Sequence, residues 1–393
     1  TYTGNGGAEL RSFIGGGFKN TISSYSEAAQ NAQLGHNSIV GGCCNVISLG
    51  CSCGLSFIGN GFKNRVLSNQ SFVGGGCLNL VSGSNSVVIA GFKNTASRGS
   101  SFIGAGSSNF VNAFGSGIVA GTQNTASASC SFIGGGQCNK ACGNSRYGGI
   151  VSGFRNTLSS GYFSFIGGGT TNTVSGYYAA IAGGSVNSIS GYYSFIGAGQ
   201  VNCITTSGCN AGIIAGVYNT ASGDSSIIGG GCKNLASGNK SSIVGGQINT
   251  ASADSSFVGG GKQNFASGTC SFIGGGSCNV VCSNDGSIVG GFNNYVCGNQ
   301  ASVGGGVSNS ASAFSSFVGG GCKNKAGASH STIVGGLLNT ASGACSFIGG
   351  GCENITSTCF SSIVGGCQNS SSGAFTFIGG GNRNKTSGAG AVV

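Results

Sequence analysis

Proline, methionine and tryptophan are absent from this 393-residue chain, and acidic residues are scarce. The lack of proline suits a chain built mostly of strand, because each proline would delete a ladder hydrogen bond. It also excludes collagen, as does the failure of glycine to recur at every third position. Charged residues make up only 6% of the chain, against about a quarter in an ordinary domain. The 16 Lys+Arg and 6 Asp+Glu leave a net charge of +10, thinly spread. The basic clusters with stacking aromatics of a nucleic-acid binder are missing. No apolar run approaches the roughly 18 residues of a membrane helix, so no membrane insertion is expected. No signal peptide is visible, and the start at Thr1 fits a processed product or the ordered part of a longer chain.

Six acids also leave little for the paired carboxylates of a glycan-cleaving site. Asp224 and Asp254 share a column of the repeat, and turn solvation accounts for them. Only His36 and His330 are available, and Cys43-Cys44 and Cys51-x-Cys53 lack the paired spacing of a metal site. The expectation is therefore no enzyme, no metal and no cofactor.

What the chain does have is glycine, 83 residues of it, and a repeat. Gly- and Ser-rich chains often stay disordered, but here Ile, Val and Phe recur on a strict period. The pattern SFIGGGFKN at 12–20 returns 24 times, ending with TFIGGGNRN at 376–384. With its Asn numbered 9, position 3 is Ile or Val, position 6 is Gly and position 9 is Asn in every copy. Position 11 is aliphatic in most copies and becomes Thr356, Ser371 and Thr386 in the last three.

Positions 1–5 read as one short β-branched strand and positions 10–12 as a second. Gly at position 6 turns the chain, and Asn at position 9 tolerates a left-handed backbone. Stacked coils would line up the Asn side chains (Asn20, Asn64, Asn79, Asn94, Asn234, Asn264, Asn324, Asn384) into a ladder of amides, each bonding to the next. The fold expected is all-β, a parallel β-solenoid of 24 tandem 15-residue repeats, read either as one repeat per turn or as paired 30-residue units. The repeats span 12–384, with a segment 1–11 before them, a tail 385–393 after them, and an insert at 24–36 as a capping helix or a loop. Shorter insertions fall near 49–53, 142–148, Gly161 and 206–209.

Two kinds of repeat alternate. One has Phe at position 2 and Gly at position 4; the other has a small residue at 2 and usually a branched one at 4. Positions 2 and 4 share a strand face and position 3 lies on the other, so both faces are apolar. The Phe column (Phe13, Phe57, Phe72, Phe102, Phe132, Phe272, Phe347, Phe377) is the candidate interface, because large exposed apolar patches mark contacts. A homo-oligomer is the partner expected, a trimer most simply or an end-to-end filament.

Stretches such as NSVVIAGFKNTASRGSSFIGAG (85–106) and SSIVGGQINTASADSSFVGGG (241–261) resemble the head repeats of YadA-like trimeric adhesins and the haemagglutinin-type repeats of phage and virus fibres. The resemblance covers most of the chain. It implies a parallel β-roll, an obligate trimer and extracellular adhesion. The 15-residue period and the abundance of cysteine depart from that family and move the expectation toward a secreted filament or virion fibre, extracellular or on a virion surface.

Twenty cysteines suit an oxidising compartment. Cys352 and Cys367 share position 7 of successive repeats, and Cys282 and Cys297 share position 12. One coil per repeat would bring each pair within disulfide reach. The trio Cys130, Cys138, Cys142 recurs as Cys270, Cys278, Cys282. Position 8 carries Lys19, Lys63, Lys93, Arg155, Lys233, Lys323 and Arg383, a basic line along one turn edge suited to acidic glycans or a negatively charged surface. The leading functional expectation is a non-enzymatic structural or adhesive fibre. An ice-binding solenoid is the alternative, with Thr95, Thr125, Thr220, Thr250 and Thr340 all at position 10; a glycan-binding or glycan-cleaving viral tailspike is the other.

Overall fold

A glycine at position 6 and a left-handed residue at position 8 fold each repeat back on itself, and everything else in the architecture follows from that bend. The structure, a computed structural model, describes residues 2–3, 12–24, 36–50 and 54–393. The insert expected at 24–36 lies mostly outside the described residues, as do 4–11 and Cys51 and Cys53. The chain divides into two compact units, Thr1–Gly199 and Gln200–Val393. Each is a parallel β-solenoid, and no helix occurs among the described residues.

The register settles the length of a turn. Val87 pairs with Phe102 and Val88 with Ile103, each one repeat on. In the second unit Phe272 pairs with Ser287 and Ile273 with Ile288. One repeat is thus one turn, and the 30-residue turn is excluded; the two kinds of repeat alternate from coil to coil down one sheet. Positions 2–3 build a first sheet and positions 10–11 a second. Position 7 adds a third line of single parallel bridges, as in Phe62↔Cys77↔Phe92. Cys282 and Cys297, one coil apart, have Cα atoms 4.9 Å apart, the ordinary spacing of hydrogen-bonded strands.

The core is a stack of single residues. Position 3 (Ile103, Ile133, Ile273, Ile348) and position 11 (Ala126, Leu158, Ala251, Val281) point inward and are fully buried. Burying an Ile or Val side chain is worth roughly 1.5–3 kcal/mol, and every coil contributes at least one. Thr356, Ser371 and Thr386 occupy the same interior column in the last coils and are also buried.

The backbone explains the glycine. Gly261 has φ +89, and a Cβ there would overlap the carbonyl oxygen of Gly276 in the next coil. The left-handed angle assigned to Asn at position 9 lies elsewhere. It falls on position 8 (Lys93 φ 53, Ile248 φ 57, Glu353 φ 55) and on position 15 (Ser100 φ 56, Tyr178 φ 55). Asn at 9 is instead interior, and a residue buried among carbonyls serves better as a donor than as a turn. The positive φ reverses the amide. Phe92 donates forward to the Gly106 carbonyl, whereas Lys93 donates back to the Cys77 carbonyl, each at 2.9 Å.

All the described insertions fall in one corner, between position 11 and the next position 1. The Asn-to-Asn spacing there stretches from 15 to 17 at Asn139–Asn156 and to 16 at Asn156–Asn172. The opposite corner, locked by positions 6, 8 and 9, never changes length. Lys385–Thr386 pairs with Ser370–Ser371, and Val392 bridges Phe377, so the coil path continues into the segment read as a tail.

Candidate functional site

Four columns of side chains recur along the coils, and each is fixed by its position in the repeat. The Asn ladder is internal. Asn264 Nδ2 donates to the Gly260 carbonyl and to the Gly276 carbonyl of the next coil, both at 2.9 Å. Its Oδ1 accepts from the Asn279 backbone N–H at 3.0 Å. Asn64, Asn79, Asn94, Asn234 and Asn324 repeat the pattern. Asn20 belongs to the pattern in the first unit and Asn384 to that in the second. The expected amide-to-amide ladder is therefore mainly amide to backbone; direct amide contacts occur at pairs such as Asn234–Asn219 and Asn339–Asn324, both 3.1 Å. Sealed inside, these Asn do no chemistry on a ligand. Asn354 and Asn369, each of which opens an Asn-x-Ser/Thr sequence, are fully buried as well.

A second internal column was missed by sequence reasoning. Position 1 is small in nearly every copy, mostly Ser, and is buried. Ser86 Oγ donates to the Arg98 carbonyl at 2.8 Å and accepts from the Ser101 N–H at 3.0 Å; the coil-to-coil link recurs at Ser56–Ser71 and Ser116–Ser131, whereas the buried hydroxyls of Ser131, Ser226, Ser241, Ser271 and Ser346 have no protein partner. The small-residue column was the available signal.

The Phe column lies outside. Phe13, Phe72, Phe102, Phe132, Phe272, Phe347 and Phe377 are 36–58% exposed, and Phe57 is half-buried. Val40, Val244, Val289, Val334 and Val364 at position 4 are exposed on the same face. The alternation has a local cause. The Phe272 ring lies 3.4 Å from where a Cβ on Gly274 would sit, and that Cβ would overlap the Val289 carbonyl oxygen. A ring at position 2 thus leans over a glycine at position 4 of its own coil. Where two Phe coils follow one another the rings stack, Phe57 on Phe72 at 5.2 Å and Phe257 on Phe272 at 5.3 Å.

The seven basic residues of position 8 are all exposed. Lys19, Lys63, Lys93 and Arg155 lie over the Phe at position 7 of the same coil, 4.7–5.2 Å from the ring centroid. Such a contact is worth about 0.5–1 kcal/mol at an exposed site and holds the cation close to the turn. Arg383 donates from Nε to Gln368 Oε1, and Gln368 donates from Nε2 to Glu353 Oε2, both at 2.8 Å. Near the last coils the column is therefore a polar chain.

The structure joins Cys282 to Cys297 as a disulfide. It places Cys352 and Cys367 as bridge partners in one column, but as thiols. Burial, followed by the Cys367 thiol and the Glu353 carboxylate, pushes the Cys352 thiol up from its ordinary value. Cys43 is raised mainly by its hydrogen-bonded neighbour, the Cys44 thiol, with sulfurs 3.1 Å apart. Cys203 is raised by burial.

Asp224 and Asp254 do not meet. Asn239 lies between them in the column: its Oδ1 accepts from the Asp224 N–H, and its own N–H donates to Asp254 Oδ1, each at 3.1 Å. Both carboxylates are turn ladder. Among the described residues no group of three His, Cys, Asp or Glu is placed to hold a metal. The position-10 threonines point outward on the second sheet, but Thr125 has Phe110 and Lys140 as its ladder neighbours, and Thr250 has Leu235 and Phe265. A regular Thr surface is not formed by these five. No protein-family model matches the chain and no curated protein is similar to it.

Proposed function

We propose that this protein is a non-enzymatic structural fibre protein that self-assembles through its first sheet and serves attachment at an extracellular or virion surface. The observation that carries the reading is the exposed Phe and Val face. Exposed rings recurring on alternate coils are costly to leave in water, at roughly 25 cal/mol per Å². The occupant argued for is a second copy of the same chain. The face alternates large and small residues down its length, so it carries both the knobs and the hollows that a copy of itself requires. Closed symmetry would give a trimer, and head-to-tail contact would give a filament. The basic turn edge, away from that face, supports contact with acidic glycans or a negatively charged surface.

Molar mass by light scattering, with negative-stain images of the same sample and a reductant arm, tests this. The parent chain is expected as a discrete oligomer or as filaments. Replacing Phe257, Phe272 and Phe317 together by Ser is expected to release single chains with an unchanged far-UV spectrum. Replacing Phe265 and Tyr295 on the second sheet is expected to change nothing. A parent chain that stays single at every concentration sinks the proposal.

A further inference from the structure

Six of the ten tyrosines of the chain lie in one short stretch of the first unit. They occupy the corner of the coil where insertions occur, at positions 14 and 15. Position 15 carries Tyr147, Phe163, Tyr178 and Tyr193 in successive coils, stacked at centroid distances of 5.0, 5.2 and 5.0 Å. Position 14 carries Tyr162, Tyr177 and Tyr192 beside them. Tyr177 and Tyr192 are parallel within 5° at 4.9 Å, and Tyr178 and Tyr193 within 4°. Tyr162 meets Tyr177 edge-on, at 80°. Tyr178, Tyr192 and Tyr193 are about half exposed or more. Stacking occupies ring faces within the two columns, and the remaining ring surface stays open to solvent. That disfavours a ligand that stacks on faces and favours chemistry at the ring edge.

We propose that Tyr177–Tyr192 and Tyr178–Tyr193 form an oxidative cross-linking site, at which a peroxide-driven reaction joins the rings of successive coils as dityrosine. Each phenol gives up its O–H proton and one electron to become a phenoxyl radical. The two radicals couple through ring carbons ortho to oxygen, and the displaced ring hydrogens move to the oxygens to restore both phenols. The pair loses two protons and two electrons, which reduce one hydrogen peroxide to two waters. Coupling demands two tyrosines, not a tyrosine and a phenylalanine. Phe163 interrupts its column, so among the described residues the parallel tyrosine pairs are these two. Register supplies the proximity, since Tyr178 donates its N–H to the Tyr162 carbonyl and Tyr193 to the Tyr177 carbonyl. The location is also telling. The interval from Cys142 to Cys203 is the longest between successive cysteines in the chain, and it contains coils whose spacing departs from 15. A tyrosine staple would close coils that no cysteine pair can.

The test uses the full chain, a haem peroxidase and limiting hydrogen peroxide. Dityrosine fluorescence is read in the single-chain band of a denaturing gel, so the result does not depend on self-assembly, and the linked residues are mapped by mass spectrometry. Fluorescence in that band, mapping to Tyr177–Tyr192 and Tyr178–Tyr193, is expected. The double variant Tyr192→Phe/Tyr193→Phe is expected to lose it; Phe163 already fills the same column, so the stack and the far-UV spectrum persist. The double variant Tyr218→Phe/Tyr295→Phe, at exposed positions that stack on no ring among the described residues, is expected to keep it. Fluorescence that survives in the first variant, disappears in the second or arises only in cross-linked multimers overturns the proposal.

Discussion

Two adjacent glycines show how much one residue can decide. Gly260 and Gly261 stand at positions 5 and 6 of the same turn. A Cβ on Gly260 meets nothing within 4 Å, while Gly261 has φ +89 and faces the next coil's carbonyl. The chain has run this comparison itself, with Asn60, Ala90, Ala105 and Ala120 at position 5 and glycine alone at position 6. Gly260→Ala is expected to be neutral or stabilising by up to about 1 kcal/mol, through the entropy of the unfolded chain. Gly261→Ala is expected to cost more than about 2 kcal/mol, from backbone strain and overpacking. Chemical denaturation of the two variants checks this, and equal costs would refute it. The position-6 glycine was legible because nothing else fits. The left-handed positions 8 and 15 were not, because Lys, Cys, Leu, Val, Tyr and Glu all stand there. Their strain is absorbed by the stacking of coils, which leaves no mark on residue choice.

At the scale of one coil the same lesson holds for cysteine. Period alone placed Cys282 over Cys297 and Cys352 over Cys367. One pair is a disulfide, and by the loop-entropy account a 15-residue loop is worth about 3 kcal/mol. The other pair stays as two thiols in one column, so shared register alone does not make a bond. Cys352 has its thiol pushed up, first by burial and then by Cys367 and Glu353. A raised value means less thiolate at a given pH, so Cys352 is expected to react slowly with an alkylating reagent at neutral pH and to gain rate only as pH rises. Glu353→Gln removes one of the raising charges and should move the rate profile of Cys352 to lower pH. Site-resolved mass spectrometry across a pH series reads this directly, and an unmoved profile would count against the assigned cause. The A and B alternation was likewise visible in sequence, while its cause was not: a ring leaning over glycine within one coil is a contact that period does not encode.

For the whole molecule, charge and apolar surface make opposite demands. The net charge of +10 makes two copies repel, whereas the exposed first-sheet face favours their contact. Which force governs association can be read from its response to salt. Raising ionic strength from about 0.1 M to about 1 M shortens the screening length from about 10 Å to about 3 Å. An assembly held by the Phe and Val face loses its opposing repulsion under those conditions, and apolar contact itself does not weaken. Its molar mass by light scattering is therefore expected to hold or rise with salt, and the Phe257, Phe272 and Phe317 variant should stay single throughout. An assembly held by ion pairs would respond in reverse, and dissolution at high salt would transfer the interface from the first sheet to the basic turn edge. The composition already leans toward the first outcome, because 6 acids cannot pair with 16 bases across an interface between identical chains.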